Sequence, residues 1–351
     1  MKQKKSINFK PLSPKEKKLV VEIREKTNSL NENNITRTKA YLDFYIHYPE
    51  VHWAFIAHMV SRNAGWNMTD LKGSFLSRLL RIKQSQSFFT FLERGNWLIF
   101  QDAYPQLLLY ETTRKTGENL FHLLPHFHVS FFMEIIWQHF LKTSRSDLLT
   151  IALIINEQNY IQGRLLENTM YKKETIHTLE FQLQDLLSMN QLIFPYIGDE
   201  KVQLLGDTLH FFESLPNRIL FGKKLYKILF GEQKNQIKKW AIQTAHTGSR
   251  KDFWPHLFND VNEMAPNTSF KPTIKNCQLI PGSSRLFSPK LTYAWPNVNH
   301  DKAEVKDWYH NWRVIHELID YDGQIKSNIT KDYCETLENL QLVITAKQIL
   351  F

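Results

Sequence analysis

Two cysteines in 351 residues, Cys277 and Cys334, leave no room for a disulfide framework or a four-thiolate zinc site. Such scarcity fits a reducing compartment. Glycine is sparse at 12, which disfavours turn-rich β architecture. The longest clean apolar run, LLTIALII at 148–155, falls well short of the roughly 18–20 residues that cross a bilayer. The first stretch, MKQKKSINFKPLSPKEKK, is basic with no apolar segment behind it, so it does not read as a signal peptide. HExxH, Walker, GxGxxG, GxSxG and zinc-finger spacings are all missing. A cytoplasmic protein is expected, with peripheral membrane contact left open and no cofactor required.

What is present points to helices. Hydrophobic residues make up 42% and charged residues 23%, a globular balance. Apolar residues recur every three or four positions through 74–94, 96–115, 118–143, 147–168, 173–194, 201–214 and 217–246. Pro105 and Pro125 are expected to kink or divide their helices. Six of the 13 prolines fall between Pro255 and Pro296. The fold expected is all-α: a flexible basic arm over 1–14, a helical body over 15–252, and a region over 253–351. That last region holds a Pro-rich irregular strap near 255–300 and two helices, about 301–320 and 330–350. The strap is long enough to invite a protein partner.

Charge is uneven. Residues 1–18 carry a net +6 and residues 218–251 a net +8, so the remainder of a chain of formal charge +9 is about −5. An anionic partner, nucleic acid or a membrane surface, would meet Lys223, Lys224, Lys227, Lys234, Lys238 and Lys239. A solvated helix face explains the same lysines more plainly.

The segment HWAFIAHMVSRNAGWNMTDLKG, 52–73, changes character halfway. Trp53, Ile56, Met59 and Val60 form an apolar stripe. Gly65 occupies the place of a left-handed C-cap, and Asn67 with Asp70 has capping-box spacing. Arg62, Asn63 and Trp66 have no such duty and are candidates for a cleft. A second polar burst, INEQNYIQGRLL at 155–166, interrupts a strongly apolar helix and adds Asn156, Glu157 and Arg164. Glu157 is costly to bury without a partner. A shared cleft of Arg62, Asn63, Trp66, Asn67, Asn156, Glu157 and Arg164 would suit an enzyme acting on an acidic or phosphorylated small molecule. The simpler reading is capping at the first segment and solvent exposure at the second.

These two segments, with NNITRTKAYLDFY at 33–45, resemble a family of Bacillus-type bacterial proteins, domain of unknown function 2515. The likeness runs from about residue 20 onward. It implies a bacterial intracellular protein and transfers no activity and no catalytic residue.

Histidine spacings are weaker. ETIH at 174–177 and DTLH at 207–210 place a carboxylate three residues before a histidine, so Glu174, His177 and His210 are metal candidates. Fourteen histidines generate such spacings by chance, and no metal is expected.

Overall fold

The computed structural model describes residues 11–171, 191–198, 201–262, 270–323, 325 and 327–350. Nine helices of ten or more residues stand among the described residues: α1 Pro14–Leu30, α2 Asn34–His47, α3 His52–Asp70, α4 Ile82–Thr116, α5 Phe131–Thr143, α6 Ser146–Ile161, α7 Leu215–Leu229, α8 Lys234–Gln243 and α9 Thr330–Leu350. Local sequence explains their starts. Ser13 and Glu16 form a capping box with Pro14 in the first turn. Asn33 caps α2 through Ile35 N and Thr36 N. Pro105 does not divide α4, which runs 35 residues. Pro125 falls in a 3-10 segment, Phe121–Phe127.

The all-α expectation is corrected in one place. Gln191–Gly198 (β1) and Lys201–Thr208 (β2) pair antiparallel from Gln191↔Thr208 to Gly198↔Lys201. Ile193, Phe194, Leu204 and Leu205 bury against the helices. Both hairpin edges are covered, which removes the hazard of open strands. Asn63 of α3 receives Ile193 N at 2.9 Å and donates to Ile193 O at 2.8 Å, standing in for a strand. On the other side Gly206 N donates to Ser327 O and Ile329 N to Leu204 O. The protein is therefore mostly helical with small sheets. The remaining pairs are two residues long: β3 Phe258–Asn259 with β6 Leu286–Phe287, and β4 Ile274–Lys275 with β5 Gln278–Leu279.

The Pro-rich region is irregular, and its apolar anchors turn inward. Phe270, Ile274, Leu286, Leu291 and Trp295 are all buried. The helix expected over 301–320 is absent; only Trp312–Leu318 winds, as a 3-10 segment. Such a chain lacks internal partners for its carbonyls. Basic side chains supply them: Arg94 bonds Asp301 O at 2.7 Å, Arg164 bonds Glu304 O at 3.1 Å and also Lys306 O, and Lys223 bonds Ile319 O at 2.9 Å. Cys277 and Cys334, read above as too few for a framework, are joined as a disulfide with Cα atoms 5.3 Å apart. No helix among the described residues is long and apolar enough to cross a membrane.

Candidate functional site

Helix α2 buries polar groups where an apolar stripe is normal. Asn34, Arg37, Thr38 and Tyr41, at i, i+3, i+4 and i+7, are each at most 3% exposed. Every one needs a partner, and α3 runs antiparallel beside them to provide some. Three buried polar groups result.

The first is a joint between α2, α3 and the chain after α8. Asn34 Nδ2 donates to Ser61 O at 2.8 Å, which fixes its amide, and its Oδ1 meets His246 Nε2 at 2.8 Å. His246 Nδ1 stands 3.6 Å from Asp252 Oδ2, which also receives Trp66 Nε1 at 3.3 Å. Gly65 is no C-cap: α3 continues to Asp70. A Cβ there would lie 2.4 Å from Asn34 Oδ1 and 2.5 Å from His246 Nε2, so glycine admits their close approach. Asn67 and Asp70 form no box either; both hold Arg250, at 3.0 Å and 2.7 Å. Arg62 donates to His58 Nε2 at 3.1 Å, to Ala241 O at 3.0 Å and to Thr244 O, capping the last carbonyls of α8. Burial lowers its pKa to about 10.

The second is an ion pair. Arg37 Nη2 sits 2.6 Å from both Glu93 oxygens, and His300 Nε2 lies 3.5 Å from Glu93. Despite burial, the Arg37 charge and the hydrogen bonds from His300 and Arg37 hold the Glu93 carboxyl below its ordinary range.

The third group is the most unusual, because it holds two carboxyls and no ion-paired cation. Asp102 of α4 is 2% exposed. Its Oδ2 receives Asn156 Nδ2 at 2.5 Å and Gln106 Nε2 at 3.0 Å. Indole N–H groups orient both amides: Trp308 bonds Asn156 Oδ1 and Trp137 bonds Gln106 Oε1, each at 2.9 Å. Oδ1 of Asp102 has no protein partner. Beside it on α6, Glu157 accepts from Trp53 Nε1 at 3.1 Å and from Gln158 Nε2 at 3.1 Å. Gln158 is oriented in turn by Arg218 Nε at 2.9 Å. Burial pushes both carboxyls up to about 7, each raising the pKa of Glu157 or its neighbour Tyr41 further. Glu157 nevertheless keeps accessible surface, unlike Asp102. Glu157 is thus densely surrounded by protein and still partly accessible.

Proton placement follows from the donors. Both oxygens of Glu157 accept hydrogen bonds, which favours its anion. Both donors to Asp102 crowd onto Oδ2, leaving Oδ1 to carry a proton. With burial raising each carboxyl to about 7, both are partly protonated near neutral pH.

The expected convergence on Glu157 is only partly present. Asn156 and Glu157 belong to this group. Nine residues of α3, about 13 Å of helix rise, separate Trp53 from Arg62, and Arg62, Asn63, Trp66 and Asn67 serve the joint and the hairpin instead. Arg164, seven residues after Glu157, is turned onto the strap by the π turn Gln162–Leu166. Sequence reading missed Asp102, Trp53 and Trp308; an aspartate inside an apolar helix was the available signal at Asp102.

The lysine surface also changes. Lys223 is buried, a correction to its expected outward position. Lys224 pairs with Asp207 at 3.7 Å and Lys227 with Asp320 at 2.6 Å. Lys234 and Lys238 lie over the rings of Phe230 and Tyr45, and Lys239 is exposed. Glu174 and His177 lie outside the described residues, and His210 is exposed. Among the described residues no three His, Cys, Asp or Glu side chains cluster as metal ligands.

Comparison with known proteins agrees with the likeness seen in the sequence. The family model "Protein of unknown function (DUF2515)" matches residues 29–333. The uncharacterized protein YppC of Bacillus subtilis (strain 168) is 38% identical over 296 residues, covering 84% of each chain. No solved structure matches. The chain belongs to the DUF2515 family of proteins of unknown function.

Proposed function

We propose that the Asp102–Glu157 pair is a binding site for a small polar molecule bearing a cationic or hydrogen-bond-donating group, with Glu157 able to exchange a proton with it. One observation carries this reading: a solvent-reached Glu157 is coupled to a buried Asp102 whose Oδ1 has no protein partner. Partly ionised buried carboxyls attract a donor, and a carboxyl near neutrality is suited to general acid–base work. The acidic character argues against the acidic or phosphorylated substrate suggested by a cleft containing Arg62. A panel of small amines, amidines and neutral polyols, followed by thermal shift at pH 6 and pH 8, tests it. Stabilisation by a donor-bearing compound, lost in Glu157→Gln and Asp102→Asn, is expected. Equal shifts in the variants would defeat the reading.

A second reading keeps an anionic partner, nucleic acid or a membrane surface, on α8. It is supported by Lys234, Lys238 and Lys239, none of which is ion-paired among the described residues. Binding to DNA, RNA or anionic vesicles that falls steeply with salt and vanishes in K234E/K238E/K239E is the result it requires. Both readings assume a cytoplasmic setting, where thiol reductants would meet the Cys277–Cys334 disulfide.

A further inference from the structure

The chain's two cysteines are 57 residues apart in sequence, yet they meet where the strap lies against the last helix. Cys277 lies in the β4–β5 turn, where Asn276 and Cys277 both take left-handed backbone, φ 51° and 61°. Cys334, Glu338 and Gln341 fall at i, i+4 and i+7 on α9. Gln341 Oε1 accepts from Thr273 N at 2.7 Å and Ile274 N at 2.9 Å, and its Nε2 donates to Ile274 O at 2.9 Å. Glu338 Oε1 accepts from Cys277 N at 3.2 Å. These contacts hold the hairpin on α9 whether or not the sulfurs are bonded. The thiols therefore face each other at high effective concentration.

We propose that Cys277–Cys334 is a reversible redox clip that fastens the strap. Exposure sets the direction of attack: Cys334 is 5% exposed, whereas Cys277 is only part-buried. A thiolate from a small thiol or a dithiol protein attacks Sγ of Cys277; the Sγ–Sγ bond breaks, and the Cys334 thiolate leaves and takes a proton. A second thiolate attacks the outer sulfur of the mixed disulfide and releases Cys277. The protein disulfide gains two electrons and two protons, and two thiols become one external disulfide. Reaction with an external disulfide runs the sequence backwards. The clipped loop contains Trp308, which orients Asn156 against Asp102. Opening the clip thus loosens the segment that closes over the carboxyl pair, although the clip itself does not depend on any ligand binding there.

The full chain is equilibrated in glutathione buffers of graded reduced-to-oxidised ratio, acid-quenched, and its thiols counted. Hydrogen exchange is measured at both extremes. Two thiols are expected to appear together with unchanged far-UV circular dichroism. Amides of 273–279 and 304–318 should exchange on the order of tenfold faster when reduced. Cys277→Ser and Cys334→Ser should fold and show the fast exchange in either buffer. Failure to oxidise in excess oxidised glutathione, failure to reduce without unfolding, or a buffer-dependent exchange change that persists in both variants would overturn the clip.

Discussion

Trp53 Nε1 stands 3.1 Å from Glu157 Oε2, so an indole on α3 directly faces a carboxyl on α6. Burial of that carboxyl ties stability to pH. The folded-state pKa of Glu157, about 7, lies above its ordinary 4.5. Between those values the folded chain binds more protons than the unfolded one. Stability therefore falls as pH rises from about 4.5 to 7, and the penalty is complete above that window. Its scale is on the order of 3 kcal/mol for Glu157 alone. Denaturant titrations from pH 4.5 to 8 should show the wild type losing stability relative to Glu157→Gln, with Trp53 fluorescence changing over the same range.

Gly65 separates two accounts of one residue. In an exposed helix interior, Gly65→Ala would gain about 1 kcal/mol of helix propensity. Here the new Cβ would press on Asn34 and His246. Overpacking typically costs about 1–3 kcal/mol, so Gly65→Ala should be destabilising. A rise in melting temperature would contradict the close-packed joint.

The Arg37–Glu93 pair should behave as one unit. Removing a single partner from a buried ion pair costs about 3–5 kcal/mol, because the other charge is stranded. Arg37→Met and Glu93→Leu should each lose on that order. The double variant should recover much of the loss, and a double-mutant cycle measures the coupling. His300, also close to Glu93, leaves that carboxyl a partner and makes Arg37→Met the milder single change.

Local signals mark the starts of α1 and α2, with Pro14 in the first turn of one and an asparagine cap, Asn33, on the other. The β1–β2 hairpin was not legible. QLIFPYIG and KVQLLGDT are eight-residue runs rich in β-formers, two positions apart, which is a hairpin signal. Pro195 and helix-tolerant Leu and Gln masked it, and pairing across the runs decides the outcome. The polar bursts at 61–70 and 156–159 were visible as anomalies. Their partners were not, because Asp102, His246, Asp252 and Trp308 come from distant segments, and only packing brings them together. The lysines misled for a related reason: a positive charge in sequence does not reveal that Lys223 spends its donors on a strap carbonyl.

Burial holds both Asp102 and Glu157 partly protonated near neutral pH. Carboxyl carbons of Asp and Glu, labelled with carbon-13 and followed by NMR from pH 4 to 9, measure this most directly. Two carboxyl titrations centred near 7 are expected, one lost in Asp102→Asn and the other in Glu157→Gln. Complete ionisation of every carboxyl below about pH 5 would contradict it.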